Sequence, residues 1–347
     1  MTKYLRDILD QPDQLLNSID YNFGEGSAQM KTSAGLVRRA DHVYISAIGA
    51  SWNAGIALQA ALNETGVQAE LCDAADFLHF THILPDSAVI FLSRSGKSIE
   101  IVNALPKCRA AKASVVSITN DNESALARGS DACILMGVRF DNSISVSTYS
   151  SIILNGNILA RCIADHRLDN SMVEELTSSI IQVRQRISEW KDMTEASGWG
   201  GKNPYTYFLA RGANLASAHE SRLLWEEAAK HPATSLTTGA FRHGPQEIIN
   251  NSLNIALWLD NRIVRDYDIQ LVNDLAERDV NIVSIGHDLP ATLKGFKIEV
   301  PHFPSMLAPV VNIIPMQLAA EKLARLRGQD PDGFLYCNFI VEAEGGL

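Results

Sequence analysis

Short apolar runs recur along the chain, and most are followed by a stretch with helical periodicity. Residues 42–48, 67–72, 88–92, 114–118 and 132–136 form the first set, with helical segments over 53–63 and from 98 onward. Runs of this length that do not alternate with polar residues are expected of strands covered on both faces, as in a parallel sheet flanked by helices. The second half repeats the pattern, with strand-like runs at 206–210, 234–237, 253–259, 280–285 and 297–300 and a helix over 215–230. Two units of like content point to an internal duplication and to an α/β chain with two domains.

Between the halves, 172–193 reads as a long amphipathic helix. It runs into Ser197-Gly198-Trp199-Gly200-Gly201-Lys202-Asn203-Pro204, a Gly/Pro-rich break. The expected division is a helical lead over 1–40, a first domain with its linker helix over 41–195, a second domain over 196–328 and a tail over 329–347. A last helical pattern, 309–326, contains Pro315, which should either kink it or mark its first turn.

Composition narrows the class. The chain has 347 residues, of which 46% are hydrophobic and 20% charged, enough for two packed cores. A net charge of −10 and the lack of any basic run argue against a nucleic-acid partner. No apolar signal core opens the chain and no run of 18 apolar residues occurs, so neither a membrane span nor a membrane partner is expected. The five cysteines are scattered and odd in number, which suits buried, reduced thiols and a cytoplasmic location.

Three turns carry candidate chemistry. Phe91-Leu92-Ser93-Arg94-Ser95-Gly96-Lys97-Ser98 joins a strand to a helix and brings three hydroxyls, a glycine and a helix N-terminus to one place. Glycine allows close backbone approach, and free amides at a helix start favour an anion, so the loop suits a phosphate dianion. An ordinary N-cap and turn would use the same residues. Gly49-Ala50-Ser51-Trp52-Asn53 opens a helix after the first strand, and Ser145-Val146-Ser147-Thr148-Tyr149-Ser150 precedes a helix expected to begin near Ser151.

The second half offers acid–base groups. Glu220 and Glu227 lie seven apart, on one face of the 215–230 helix. Sixteen residues beyond Glu227, His243-Gly244-Pro245 marks a turn into a helix. A carboxylate that moves a proton between C1 and C2, and an imidazole that helps open a sugar ring, suit sugar isomerisation. A glutamate on a helix is equally at home on a solvated face.

Taken together, Ile48–Gly55, Leu92–Ser98, Val146-Ser147-Thr148, Ala210-Arg211-Gly212, Glu220…Glu227 and Phe241–Pro245 resemble, in order and spacing, the sugar isomerase (SIS) family. That family includes the isomerase half of glucosamine-6-phosphate synthase, glucosamine-6-phosphate deaminases of this type and fructosamine or ketosamine-6-phosphate deglycases. The resemblance covers about Tyr44 to Leu326. It implies two tandem doubly wound, flavodoxin-like SIS domains with five-stranded parallel sheets, and no cofactor.

Residue by residue, it implies that Ser93, Ser95 and Ser98 hold the phosphate around Gly96, with Arg94 as an added cation where the synthases have an amide. Ala50 stands where the family has a hydroxyl and Ser51 keeps its serine. Ser147 matches a serine that touches the sugar. Glu227 matches the C1/C2 base, and His243 the ring-opening histidine, which in the family reaches into a neighbouring subunit's site. A homodimer or larger homo-oligomer with interfacial sites follows.

Departures from the synthases shape the expected reaction. Leu224 replaces a lysine three residues before the base, Tyr149 follows Ser147-Thr148 where a lysine is common, and no lysine follows Arg327. Only about 40 residues precede the first strand, leaving no room for a glutaminase domain or a DNA-binding domain. The expectation is an enzyme acting on an amino-sugar or ketosamine 6-phosphate by deamination, deglycation or aldose–ketose isomerisation, and not glutamine-dependent synthesis. The alternative is a phosphosugar sensor without turnover. Nucleotide-binding glycine signatures are absent.

Overall fold

The computed structural model describes the chain except for residues 166–167, 169, 202–204, 261, 304–305, 337–339, 342 and 346–347. Two five-stranded sheets, parallel throughout, form its frame. The first contains β1 (His42–Ala47), β2 (Ala69–Asp73), β3 (Ser87–Leu92), β4 (Ser114–Thr119) and β5 (Ala132–Leu135), in the order β2-β1-β3-β4-β5. The second contains β6 (Tyr205–Ala210), β7 (Thr234–Thr237), β8 (Leu253–Trp258), β9 (Asn281–Gly286) and β10 (Phe296–Glu299), in the order β10-β9-β8-β6-β7. Counted within each half, both orders are 2-1-3-4-5, the flavodoxin-like arrangement. β3 and β8 are buried at every position, which is why their sequences do not alternate.

In the first half, helices α1 (Lys3–Phe23) and α2 (Ser27–Arg38) precede the sheet. α3 (Ala50–Glu64), α4 (Ala74–His79), α5 (Ile99–Ala110) and α6 (Ala125–Gly129) connect its strands, and α7 (Ser147–Asp165) and α8 (Asn170–Ala196) follow it. In the second half come α9 (Leu215–Glu227), α10 (Thr238–Arg242), α11 (Arg265–Ala276), α12 (Pro309–Asn312) and α13 (Ile314–Arg327). Pro315 lies in the first turn of α13, where its missing amide costs nothing, so the 309–326 pattern is two helices.

Two compact units divide the chain. One, around the first sheet, comprises Asp13–Asp141, Ser147–Ser178 and Phe334–Leu347; the other, around the second sheet, comprises Met1–Pro12, Asn142–Val146 and Ser179–Gly333. In the first, Phe77 is fully buried and meets the rings of Tyr44 and Phe91 edge-on, sealing α4 against the sheet. In the second, Phe208 packs edge-on to Trp225, whose ring also meets Trp199. That places α9 firmly on β6, since buried aromatic pairs add to the area they cover.

Boundaries moved where side chains or glycine decided them. The helix expected over 53–63 starts at Ala50, because Gly49 takes φ 60 and turns the chain early. The 215–230 helix stops at Glu227, and Lys230 adopts φ 50 beyond it. Helix α11 has no counterpart in the sequence reading. Cys72, Cys108 and Cys162 are buried as expected, Cys133 is half-buried, and Cys337 lies outside the described residues. No described helix is long and apolar enough to cross a membrane.

Candidate functional site

In an open parallel sheet a ligand crevice forms beyond the carboxyl ends of two adjacent strands whose connections leave in opposite directions. In the first sheet those strands are β1 and β3, which pair in register from His42↔Ser87 to Ser46↔Phe91. The turns that leave them are the Gly49-Ala50-Ser51 turn and the Ser93–Ser98 loop. Two of the three turns picked out from sequence therefore flank one crevice.

The Ser93–Ser98 loop is tied into shape by its own hydroxyls. Ser93 Oγ accepts the amide of Gly96 at 3.1 Å and lies 3.4 Å from Ser98 Oγ. Ser95 Oγ accepts the amide of Lys97 at 3.3 Å. Ser98 is the N-cap of α5, yet its side chain accepts no capping bond from that helix. Its hydroxyl turns back to the loop, and first-turn amides have no partner within a helix.

The neighbouring strand holds the loop from behind. Ser93 donates its amide to Ile118, Asn120 donates its amide to Arg94, and Leu126 donates its amide to Gly96. Gly96 takes φ 63, a region that favours glycine. Ser93 and Ser95 are buried, Arg94 and Ser98 are half-buried, and Lys97 is exposed and pairs with Asp121 at 3.3 Å. Ala50 and Ser51 open α3, both half-buried.

The third turn differs from expectation. α7 begins at Ser147, not near Ser151, because Asp141 reaches back over its start. Asp141 Oδ1 accepts the amide of Ser147 at 2.9 Å. Asp141 Oδ2 accepts the amide and the hydroxyl of Thr148 at 3.0 and 2.5 Å. This helix N-terminus already holds a carboxylate belonging to the chain, and Ser147 is buried. Any part Ser147 plays toward a ligand falls to its side chain, since its amide is taken.

The second sheet has the same topology, but its turn after β8, which corresponds to the Ser93–Ser98 loop, is filled from within. Asp260, after β8, accepts at Oδ2 the amides of Arg262, Ile263 and Val264, at 3.2, 2.6 and 3.0 Å. Asp268 is buried and accepts from Arg211 Nε at 3.0 Å and from the amide of Asp260 at 3.1 Å. Burial pushes the Asp268 carboxyl up from the usual carboxylate range, against the lowering pull of those hydrogen bonds. In the turn after β8 the amides that could hold an anion are spent on the Asp260 carboxylate.

The acid–base candidates belong to the unit of this second sheet. Glu227 is the last residue of α9 and is half-buried, whereas Glu220, one face-repeat earlier, is fully buried. His243 ends α10, its amide bonded to Ala240, and its side chain is exposed. The stretch Arg242–Gly244 is exposed throughout. Sequence reading missed Asp141, Asp260, Asp268 and Lys230. Asp260 meets amides two to four residues on, a local Asx signal that could have found it, whereas Asp141, Asp268 and Lys230 meet partners that the fold brings near.

Residues 36–159 match the SIS domain model. The chain is 26% identical over 343 residues to the isomerizing glutamine–fructose-6-phosphate aminotransferase of Pyrobaculum aerophilum, covering 94% of this chain and 55% of that protein. It spans about half the length of that relative. Among solved structures it resembles the C-terminal domain of the glucosamine-fructose-6-phosphate aminotransferase of Francisella tularensis, with a TM-score of 0.84, 21% identity, and 95% and 97% of the two chains covered. It also resembles the glucosamine-6-phosphate deaminase of Thermotoga maritima, with a TM-score of 0.81, 18% identity, and 98% and 99% covered. Residues 36–159 thus carry an SIS domain.

Proposed function

We propose that the chain is an enzyme acting on an amino-sugar or ketosamine 6-phosphate, by deamination, deglycation or aldose–ketose isomerisation. The observation that carries this reading is the Ser93–Ser98 loop. It sets hydroxyls, a glycine backbone and a helix N-terminus at the crevice of the first sheet, while the matching turn of the second sheet, after β8, is filled by Asp260. The phosphoryl group docks there, with the Arg94 guanidinium as a further source of positive charge. The Glu227 carboxylate takes a proton from C1 or C2 and returns it to the other carbon, and His243 assists ring opening. Where nitrogen leaves, that transfer turns the substrate's carbon–nitrogen bond into an imine, and water hydrolyses it: the water oxygen becomes the carbonyl oxygen and its two hydrogens leave with the amine.

Proton transfer in this scheme needs no protein imine. Leu224 and the lysine-free segment after Arg327 support that part of the reading. Synthesis that draws nitrogen from glutamine is not part of the proposal.

The test is a panel of glucosamine 6-phosphate, a fructosamine-type 6-phosphate and fructose 6-phosphate, assayed for ammonia, free amine and hexose 6-phosphates. Turnover that survives in E227Q would sink the role given to the glutamate. Binding without turnover would support a sensor instead. Borohydride with substrate should leave the protein mass unchanged, and a sugar adduct on a lysine would restore a synthase-like mechanism.

A further inference from the structure

The carbonyls in the last turn of a helix lack partners within it. At the end of α9, Trp225 accepts the amide of His231 at 3.0 Å, and Glu227 takes a side-chain donor from beyond the helix. Lys230 Nζ donates to the main-chain carbonyl of Glu227 at 2.7 Å, and also to the carbonyls of Asp330 at 2.8 Å and Gly333 at 2.6 Å. An ammonium has three protons to donate, and among the described residues these three carbonyls accept from it. Arg327 Nε donates to the carbonyl of Ala229 at 3.1 Å, so two cations meet the negative end of the helix dipole.

The tail turn is itself anchored. The Asp332 carboxylate accepts the amides of Lys3 and Tyr4 at 2.8 and 2.7 Å, capping α1. Asp330 Oδ1 accepts the amide of Asp332 at 2.9 Å. Lys230 thus joins the backbone of Glu227 to a turn that is fixed at its other end. It does so from a left-handed φ of 50, which folds its side chain back across the helix terminus.

We propose that Lys230 is a positioning residue for Glu227, holding the proton-carrying glutamate in register by clamping its backbone to the 330–333 turn. The inference rests on the reading of Glu227 as the base. Proton transfer is sensitive to displacements well under the length of a bond, so a loosened helix end slows the proton step more than it weakens binding. With its protons engaged on carbonyls, Lys230 is a structural cation, not a nucleophile.

The experiment compares the full-length wild type with K230M, K230Q, K230R and E227Q on whichever panel sugar phosphate is turned over, using substrate deuterated at the carbon that loses its proton. K230M should lower kcat at least tenfold with KM within about twofold, and should raise the deuterium isotope effect as proton transfer becomes limiting. K230R, which keeps a donor cation, should recover most of the rate.

Unchanged kcat in K230M overturns the clamp. So does a lower kcat with an unchanged isotope effect, because loss of folded protein lowers the rate without altering the proton step. Should K230M fail to fold, K230Q decides by the same isotope criterion. Turnover retained in E227Q, or no turnover of any panel sugar by the wild type, removes the reading of Glu227 and this inference with it. An inactive E227Q beside a wild-type-like K230M removes the clamp alone.

Discussion

A methyl group placed on Gly96 would stand 2.2 Å from Ser124 Oγ, far inside contact distance. Ser124 cannot retreat freely, because its hydroxyl donates to Asp121 at 2.7 Å and accepts the amide of Ala127 at 3.2 Å, capping α6. Gly96 is also in the left-handed region. Gly96→Ala therefore meets a conformational cost of about 1–2 kcal/mol together with a clash. We expect the variant to fold with reduced stability and to lose most of its affinity for sugar phosphates. Calorimetric binding close to wild type would show that the loop is not the phosphate site.

Serine substitutions probe the same loop without a steric clash, though Ser93 and Ser95 also accept amides within it. Ser95→Ala should remove one hydrogen bond to a charged group, worth roughly 1.5–3 kcal/mol. Inorganic phosphate should bind with one equivalent per chain, because the corresponding turn of the second sheet is filled by Asp260. Two equivalents of comparable affinity, or affinity untouched by alanine at Ser93, Ser95 and Ser98, would contradict this assignment.

Stability should fall on mild acidification through His219. The imidazole is half-buried, its Nδ1 lies 3.0 Å from Ser235 Oγ, and burial followed by the Arg222 charge lowers its pKa from the usual 6.5. A lowered folded-state pKa means that the unfolded chain takes up the proton first. The stabilising contribution is present above pH 6.5 and is lost as pH falls through the folded-state value. His219→Gln should flatten the pH dependence of urea unfolding in that window. A slope identical to wild type would assign the acid sensitivity elsewhere.

The exposed His243 turn bears on assembly. If His243 acts in a neighbouring subunit's site, two inactive chains should complement each other. Mixing E227A with H243A after mild dissociation should recover activity up to about a quarter of wild type, the statistical share of intact sites. No recovery, or full wild-type activity in a particle that light scattering shows to be monomeric, would place histidine and glutamate in one chain's site.

Thiol chemistry offers an independent check on the core. Burial pushes the Cys108 thiol up to about 12 and the Cys72 thiol to about 11. Both should resist iodoacetamide at pH 8 in the native protein and react once it is unfolded. Rapid native labelling at Cys108 would mean that α5 does not bury this thiol in the core cluster with Phe77, Val89 and Phe91.

Much of the architecture was legible in the chain itself. Unalternating runs such as 88–92 reflect strands buried on both faces, and that pattern needs no knowledge of the partner strands. The loop at Ser93–Ser98 was also legible, because hydroxyls, glycine and a helix start are local properties. Tertiary structure decided what the local pattern leaves open. Asp141 sets the start of α7 from six residues upstream, since a carboxylate can satisfy helix amides wherever the chain delivers it. Asp268 ties the Arg211 side chain after β6 to the Asp260 amide after β8, a junction the strand order of the second sheet creates. Lys230 meets Asp330 and Gly333 across a hundred residues of sequence. Most of these contacts go to backbone groups, which every residue carries alike, so the folded path of the chain selects which carbonyls and amides they meet.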